Sequence, residues 1–433
     1  MDSVIEGVAS TLARAAQQVL PGGTFGNMGE ADCIIRSGRA GRVWDADGRE
    51  YVDLLLGSGP MLVGHAHPDV VSAVQEQVAR GTTFFATNEH GIRLAEEIVR
   101  AVACAEMVRF TSSGTEADFY AMRLARAFRR RDKILKFEGG YHGMSDYGLM
   151  SIWPRSPGNF PVASIDSAGI PANARENLLV APFNDIAAAQ QLIRAHRDEL
   201  AGVMVEPMQR LVPPAPGFLQ GLREVTAECG IPLIFDEVVT GFRLAYGGAQ
   251  AYYGVTPDIC TLGKVIGGGF PLAAIAGRAE IMAHFDRGRV GDEGFMPQIG
   301  TLSGNPVAAA AGLATLAILR EPGAYERLFA AGAAIRSGLE QALSGAGFEV
   351  QVPGEPPMFD AVFTATPVQD YRSSASGDAA LNKRFNALVR QHGVFKSNGK
   401  IYVSLAHDAE DVRAATAAFT AAAQELRAEL SRR

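Results

Sequence analysis

The sequence predicts an α/β protein with a large domain, in which helices cover a mostly parallel sheet, and a smaller α+β domain formed from both chain ends. Three observations predict this fold. The 433 residues are too many for one small core, the middle of the chain alternates apolar strand-like segments with amphipathic helical ones, and the two ends follow different patterns. We expect residues 66–311 to form the large domain, and residues 1–65 and 312–433 to form the smaller one.

The chain ends supply the smaller domain. Near the amino end, the segment GRVWDADGREYVDLL (41–55) alternates apolar and polar positions on both sides of an Asp-Gly turn, which predicts an antiparallel hairpin. Near the carboxyl end, residues 412–430 place apolar side chains on one helical stripe. Asp408 and Asp411 precede that stripe as a capping residue and a first-turn acid.

The middle of the chain supplies the large domain. Its helical segments include GTEADFYAMRLARAF (114–128) and FLQGLREVTAECG (218–230), and the second of these stops at a glycine. Alternation of such helices with strands favours a parallel sheet that is covered on both faces. The strand-like segments are EMVRFTS, KILKFE, NLLVAPF, GVMVEP and PLIFDEV.

Composition and charge exclude several classes of protein. A content of 47% hydrophobic and 20% charged residues is that of an ordinary globular protein, and a net charge of −7 argues against a nucleic-acid partner. The four cysteines show no CxxC spacing, so we expect free thiols in a reducing compartment. The amino end has no secretion signal, and the longest apolar helix candidate, residues 305–319, is shorter than the ~20 residues needed to cross a bilayer. We therefore expect a cytoplasmic protein that does not contact a membrane.

Two acids end an apolar segment that has the composition of a buried strand. In IPLIFDEVVTGF (231–242), Asp236 and Glu237 follow residues 231–235. A buried carboxylate is costly unless a group of opposite charge meets it. We therefore expect a cationic partner for Asp236 at the carboxyl end of its strand, where parallel sheets bind ligands. Glu237 is expected to bond local backbone or side chains.

A lysine follows the next strand-like segment. Lys264, in DICTLGKVIGGGFP, precedes glycines 267–269, which we expect to let a bulky group approach the backbone. A buried lysine loses its charge readily, and the neutral amine is a nucleophile. The segment is not a P-loop, because Asp258 and Val265 stand where that motif requires a glycine and a serine or threonine. The dinucleotide motif GxGxxG is also absent from any strand-to-helix turn.

A third segment has the pattern of an anion site. In FTSSGTEADFYA, residues 112–115 directly follow a strand and open a helix, so their N–H groups and hydroxyls could bind a phosphate. The alternative is a plain N-cap at Ser113 or Thr115, with Glu116 and Asp118 interacting with the helix dipole.

An amine, a carboxylate and an anion site match the three polar groups of one cofactor. Pyridoxal 5′-phosphate (PLP) carries an aldehyde for Lys264, a ring nitrogen for Asp236 and a phosphate for the SSGT segment. The motifs SSGTEA, YHG, EP, FDEV, TLGK with GGG, and GTLSGNP occur in this order. On these motifs the sequence, from about residue 21 to 407, resembles the class III aminotransferases of PLP fold type I. GPMLVGHAHP, DEVVTGFR, GTLSGNP and SLAH make it most similar to their glutamate-1-semialdehyde 2,1-aminomutase branch.

The resemblance implies roles for individual residues. Lys264 would form a Schiff base with PLP and shuttle a proton, while Asp236 would keep the pyridine nitrogen protonated. The cofactor would be packed between two side chains, bonded at its ring oxygen by a glutamine and reached by a threonine of the neighbouring subunit, so that a homodimer shares each active site. The implied cofactor-binding residues are Ser113, Gly114, Thr115, Tyr141, Gln209, Asp236, Val238, Lys264 and Thr301.

Two histidines at strand spacing raise the question of a metal. His65 and His67 in HAH have no third ligand cluster nearby in the sequence, and the family contains this segment without a metal. We expect a structural turn here and no metal site.

The substrate residues depart from the aminomutase pattern. The aminomutases carry an arginine shortly after their first PGG, whereas PGGTFGNMGEAD places Gly29 at that position and the nearest arginine is Arg36. The segment GVFKSNGKIYVSLAH instead supplies Lys396 and Lys400 as replacement charges.

We therefore expect an aminotransferase of the omega-transaminase type. It would move an amino group from an amine or a β-/ω-amino acid to a keto acid such as pyruvate or 2-oxoglutarate. The alternatives are an aminomutase-type isomerase and a PLP-binding protein without enzyme activity. Retention of both Lys264 and Asp236 argues against the last of these, because a protein that only senses or stores the cofactor needs no electron sink.

Overall fold

The predicted α/β fold is confirmed by the computed structural model, which describes residues 8–26, 33–154 and 157–432. Its centre is a seven-stranded sheet with the order β1-β7-β6-β5-β4-β2-β3. All five strand-like segments of the middle of the chain are strands of this sheet. In chain order, the strands are β1 (Met107–Thr111), β2 (Lys133–Phe137), β3 (Leu178–Ala181), β4 (Leu200–Val205), β5 (Leu233–Glu237), β6 (Ile259–Leu262) and β7 (Ala273–Gly277).

The sheet is parallel except at one strand. Strands β2 to β6 pair in parallel, whereas β7 is antiparallel to both of its neighbours, β1 and β6. Every residue of β4, β5 and β6 is buried, as expected where helices cover both faces. Since β1 and β6 each run antiparallel to β7, their carboxyl ends lie at the same edge of the sheet as that of β5.

Segments from both ends of the chain form the smaller sheets. The predicted hairpin consists of Arg42–Asp45 and Glu50–Asp53, preceded by Ile35–Arg39, and Val394–Phe395 pairs in parallel with Glu50–Asp53. A second small sheet joins three two-residue strands, Gly354–Glu355, Met358–Phe359 and Ile401–Tyr402. The division of the chain after residues 65 and 311 stays a prediction.

Helices occupy the remaining regular structure. The last helix begins after Asp408, whose side chain accepts bonds from Glu410 N and Asp411 N, and Asp411 completes a capping box as its spacing predicts. The α-helices are Val8–Val19, Pro68–Val78, Glu89–Ala101, Gly114–Arg129, Asp146–Leu149, Ile186–Ala195, Phe218–Cys229, Gly248–Tyr253, Ala279–Met282, Arg287–Gly294, Pro306–Leu319, Ala324–Gly345, Tyr371–Ala375, Ala379–Gln391 and Ala409–Ser431. Short 3₁₀ turns are Pro21–Gly23, Leu56–Ser58, Ala172–Asn177, Lys264–Gly267 and Ala283–Phe285.

The HAH segment forms a turn that is fixed by hydrogen bonds. His65 Nε2 lies 2.7 Å from Asp53 Oδ2, and His67 Nδ1 accepts a long bond from Asp69 N, 3.4 Å, as the N-cap of Pro68–Val78. Within the described ranges, no group of three His, Cys, Asp or Glu side chains is arranged to hold a metal ion.

The helices differ in length and hydropathy from a membrane-spanning helix. Within the part of the chain that the structure describes, no single helix is both long and apolar enough. The consecutive helices Pro306–Leu319 and Ala324–Gly345 have the length and hydropathy of a membrane span only when they are taken together. The chain bends by 82° between them.

Candidate active site

Asp236 lies at the carboxyl end of β5 and is almost completely buried. Its Oδ1 atom accepts a bond of 3.1 Å from Val238 N. Its Oδ2 atom lies 2.8 Å from Nδ1 of His142, whose side chain is buried in the segment after β2. Sequence reasoning assigned no role to His142, although the YHG motif contains it. The contact holds the carboxylate at the sheet edge in one orientation.

Glu237 has a different role from its neighbour, as the sequence predicts. Its side chain is inaccessible to solvent and accepts bonds from Ala249 N, from Thr240 Oγ1 at 3.2 Å and from Gln250 Nε2 at 2.9 Å. Burial raises the pKa of this carboxyl group. Glu237 therefore fixes the start of helix Gly248–Tyr253 and turns away from the site.

Lys264 follows β6, the strand beside β5, so the two predicted groups meet at one sheet edge. Its backbone has φ of +48°, a left-handed conformation that costs energy for a side chain other than glycine. Burial lowers the pKa of its amine, and the negative charge of Asp236 partly opposes that shift. The environment thus favours the neutral, nucleophilic form of the amine.

The glycines after Lys264 pack closely against other parts of the protein. This corrects the expectation that they leave room for a bulky group beside the backbone. A Cβ atom on Gly268 would lie 2.6 Å from the carbonyl oxygen of Ala311, in helix Pro306–Leu319. One on Gly269 would lie 2.9 Å from Met61 Sδ. These glycines let the Lys264 turn press against protein backbone and side chains.

The SSGT segment joins β1 to helix Gly114–Arg129. Ser113 is the N-cap and forms a capping box with Glu116, so its side chain and N–H are occupied by the helix start. The N–H groups of Gly114 and Thr115 belong to the first turn and have no acceptor within the helix. The N-cap alternative is therefore correct for Ser113, while the anion site retains two N–H donors and the Thr115 hydroxyl.

Asp118 was expected to interact with the helix dipole because it lies near the start of its helix. The structure corrects this expectation, since the side chain points into the protein. It is buried, and its Oδ1 atom accepts a bond of 2.6 Å from Thr261 Oγ1, which also lies 3.4 Å from Asp236 Oδ1. Burial, followed by the nearby charge of Asp236, raises the pKa of Asp118 well above its usual range. The site thus contains a second buried carboxyl group that sequence reasoning missed.

Glu206 positions two residues at the end of β4. Its Oε1 atom accepts a bond of 2.8 Å from Tyr141 N, and its Oε2 atom one of 3.2 Å from Arg210 N. Between them, Gln209 is buried and donates through Nε2 to the carbonyl of Glu138 at 2.7 Å.

Unpaired polar atoms and a close-packed glycine test whether this site fits PLP. Among the described residues, Gln209 Oε1 and His142 Nε2 are buried and have no hydrogen-bond partner. A Cβ atom on Gly114 would come within 2.8 Å of Val238, so only glycine fits beside that side chain. A buried amine, a buried carboxylate, a helix N-terminus and an unpaired amide oxygen converge here, and together they fit the polar groups of PLP.

The sequence profile Aminotransferase class-III matches residues 26–422. The chain belongs to the class-III aminotransferase family. It is 43% identical over 432 residues to a glutamate-1-semialdehyde 2,1-aminomutase of Pelotomaculum thermopropionicum. The aligned part covers 96% of this chain and 98% of the relative. Its fold is similar to an omega-transaminase from Sphaerobacter thermophilus, with a TM-score of 0.93, 38% identity and coverage of 98% and 99% of the two chains. A transaminase with PLP bound has a TM-score of 0.89 and 32% identity, with coverage of 97% and 98%.

The cofactor of this class-III aminotransferase family member is PLP, as the sequence predicts. The residues that would hold it remain predictions, and the structure shows where they lie. Asp236, Val238 and Lys264 follow adjacent strands, and Gly114 and Thr115 open the neighbouring helix. Tyr141 is half-buried with its hydroxyl beside Thr115, and burial, with a smaller contribution from Asp118, raises the pKa of that hydroxyl.

Thr301 lies apart from these residues, on an exposed part of the class-III chain. Its carbonyl accepts a bond of 3.3 Å from Thr83 Oγ1, and both residues line a cavity of about 470 Å³. Phe85 and Ile299 line the same cavity and are 71% and 77% exposed.

The two lysines near the carboxyl end have different environments. Lys396 is buried, lies 2.9 Å from Asp360 Oδ2 and donates to Asn386 Oδ1 at 2.6 Å, so it is not a replacement charge for a substrate. Lys400 is held through its backbone, since its N–H donates to Ser397 Oγ at 3.0 Å. Gly29, the position where the aminomutases carry an arginine, lies outside the described residues.

Proposed function

We propose that this protein moves an amino group within one small substrate, as a glutamate-1-semialdehyde 2,1-aminomutase does. The observation that carries the proposal is the 43% identity to an aminomutase over 98% of that relative's length. This favours the isomerase alternative over the transfer between two substrates that the sequence alone suggested. The proposal concerns the substrate, because membership of the PLP-dependent family is already established.

The residues of this chain perform distinct tasks in such a reaction. When bound, PLP withdraws electrons from the carbon that carries the amino group. Lys264 would hold the cofactor, and its amine, in the neutral form, would accept a proton from one substrate carbon and return it to another. Asp236 holds a proton on the ring nitrogen, and His142 keeps Asp236 in place. Thr115 and the N–H groups at the helix start hold the phosphate.

A second candidate is an aminotransferase that acts between an amine or β-/ω-amino acid and a keto acid such as pyruvate or 2-oxoglutarate. The similarity to the omega-transaminase supports it, and so does Gly29, which supplies no cation where the aminomutases have an arginine. A PLP-binding protein without activity is the least supported reading, because the neutral amine of Lys264 and the buried Asp236 serve chemistry rather than storage.

We also propose a homodimer in which Thr301 of one subunit reaches the phosphate of the other. The exposed apolar side chains beside Thr301 support a subunit contact at this surface. Residence in the cytoplasm, with no nucleic-acid or membrane partner, is likewise part of the proposal.

One assay separates the two candidates. The purified holoenzyme is given glutamate-1-semialdehyde alone, and 5-aminolevulinate is measured against a Lys264→Ala control. Formation of 5-aminolevulinate without any keto acid supports the aminomutase. No product from this substrate, together with transfer from a β-amino acid to pyruvate or 2-oxoglutarate, would overturn it in favour of the aminotransferase.

A further inference from the structure

Arg210 is a cation without an anionic partner at the edge of the active site. Its backbone is held by Glu206 and has φ of +59°, a strained conformation for a side chain of this size. The guanidinium lies 5.6 Å from the ring centroid of Tyr141. Within the described ranges, its side chain forms no ion pair. The backbone strain thus places a charged group next to the tyrosine that is predicted to cover the cofactor.

Lys400 is a second such cation, whose charge interacts with those of Arg210 and Lys264. The hydroxyl of Ser397 bonds both its N–H and its carbonyl group at 3.0 Å, which fixes the backbone just before strand Ile401–Tyr402. Across the described residues, its ammonium group has no ion pair. The charged groups that act on it are Arg210, Lys264, Arg243 and Glu206.

Positive charge is in excess around Lys400. Arg243 is completely buried, lies 5.0 Å from the ring centroid of Tyr402 and donates to the Val239 carbonyl at 3.0 Å. Glu206 is a carboxylate among the charges that act on Lys400, and two backbone N–H groups already bond its oxygens. Several cations beside a carboxylate that is already hydrogen-bonded favour binding of an external anion.

We propose that Arg210 and Lys400 together bind a carboxylate of the substrate beside Lys264. The inference deepens the proposed function, on which it rests, by assigning the group that grips the substrate. Arg210 offers planar paired donors and Lys400 a point charge. The cofactor phosphate is not the anion concerned, because the start of helix Gly114–Arg129 supplies its donors. The pair would take the place of the arginine that the aminomutases carry at the position of Gly29.

The test compares two nucleophiles that differ by a carboxylate. Aminooxyacetate and methoxyamine both displace Lys264 from the cofactor and bleach its visible absorbance, but only aminooxyacetate carries a carboxylate. The measured quantity is the rate of displacement by aminooxyacetate divided by the rate with methoxyamine. We expect Arg210→Gln and Lys400→Met each to lower this ratio by about tenfold to a hundredfold, because each variant loses a charge-assisted hydrogen bond to the carboxylate. Because a change in the reactivity of Lys264 affects both nucleophiles alike, the ratio isolates the contribution of the carboxylate.

Matched variants complete the experiment. Lys400→Arg should retain most of the ratio, and Lys383→Met, the loss of an exposed lysine, should not change it. Arg36→Gln tests the nearest arginine to position 29. An unchanged ratio in both Arg210→Gln and Lys400→Met, or a loss confined to Arg36→Gln, would overturn the proposal. If Arg210→Gln lost the cofactor, the ratios of Lys400→Met and Lys400→Arg would decide.

The result is independent of the proposed function. Displacement of Lys264 requires neither isomerisation nor transfer. If the wild-type enzyme makes no 5-aminolevulinate but the variants show a lower ratio of displacement rates, the aminomutase proposal fails and the carboxylate site stands. If 5-aminolevulinate is made and the ratio does not change, the carboxylate site fails alone.

Discussion

The Nδ1 atom of His142 lies 2.8 Å from Oδ2 of Asp236, and both side chains are buried. A hydrogen bond to a buried charge contributes about 1.5–3 kcal/mol. The histidine therefore fixes the orientation of the carboxylate that is predicted to face the cofactor ring.

Replacing His142 should impair catalysis by way of Asp236. We expect His142→Ala to lower kcat by about tenfold to a hundredfold and to shift the cofactor absorbance with pH, because the ring nitrogen loses its fixed partner. His142→Asn, which retains an N–H donor near the Nδ1 position, should recover part of both. Equal spectra and rates in the wild type and His142→Ala would contradict this role.

The two buried carboxyl groups should respond differently to the same substitution. Asp118 is expected to be neutral because burial and Asp236 raise its pKa, so Asp118→Asn should leave kcat within a few-fold. Asp236→Asn removes the charge opposite the ring nitrogen and should lower kcat by about a hundredfold to a thousandfold. Steady-state rates of the two holoenzymes measure this, and similar losses in both would show that Asp118 carries charge.

Lys264 should be the site of covalent attachment. Borohydride reduction followed by peptide mapping should place the cofactor on Lys264, and Lys264→Ala should retain PLP non-covalently while losing turnover by several powers of ten. Lys136, also buried, is the matched control, since its amine is bonded to the carbonyls of Gly148 and Met150. Label on any lysine other than Lys264 would refute the assignment.

The affinity for a carboxylate substrate should depend on pH through Lys400. Burial, followed by the charge of Arg210, lowers the pKa of Lys400 to about 7; Lys264 and Arg243 also lower it, and Glu206 opposes them. Only the protonated form attracts an anion, so KM should rise as the pH increases through about 7. Lys400→Arg keeps its charge and should remove this rise. An identical KM profile in the wild type and Lys400→Arg would contradict the prediction.

Thr301 should matter to the cofactor of the other subunit. Thr301→Ala should weaken retention of PLP by about 1–2 kcal/mol, the loss of one hydrogen bond to a charged group. Dialysis followed by absorbance measures this. Mixed dimers can then be formed from one Thr301→Ala subunit and one Lys264→Ala subunit. If Thr301 acts across the interface, one of the two active sites in such a dimer has both Lys264 and Thr301 intact. Activity of the mixed dimers that never exceeds that of either parent would rule out the cross-subunit contact.

Much of the site could be predicted because it depends on strand order and local motifs. Asp236 and Lys264 end neighbouring parallel strands, so their proximity follows from the α/β pattern, and Ser113 with Glu116 has capping-box spacing. The identity of the partner of Asp236 could not be predicted in this way. His142 comes from a loop after β2, and its contact with Asp236 depends on packing between segments 94 residues apart.

Burial accounts for the predictions that were wrong. Asp118 stands where a first-turn acid normally faces solvent, but this side of the helix lies against β6 and turns Asp118 inward. Glycines 267–269 have the composition of a ligand-binding turn, yet the space beside them is filled by Ala311 and Met61. Nothing in the sequence separates Lys396 from Lys400, whereas in the fold Lys396 is paired with Asp360 and bonded to Asn386.

The antiparallel strand β7 links the two halves of the cofactor site. Thr111, at the end of β1, faces Ala273, and Leu262, at the end of β6, faces Ala274. Within the sheet, this five-residue strand therefore joins the strand that precedes the phosphate end to the strand that precedes the amine end. The pairing of β7 with β1 joins segments that are far apart along the chain, and such non-local pairings form late in folding, so we expect the complete cofactor site to form late as well. Loss of the yellow colour during gradual denaturation should accordingly accompany or precede the loss of the sheet, measured by circular dichroism.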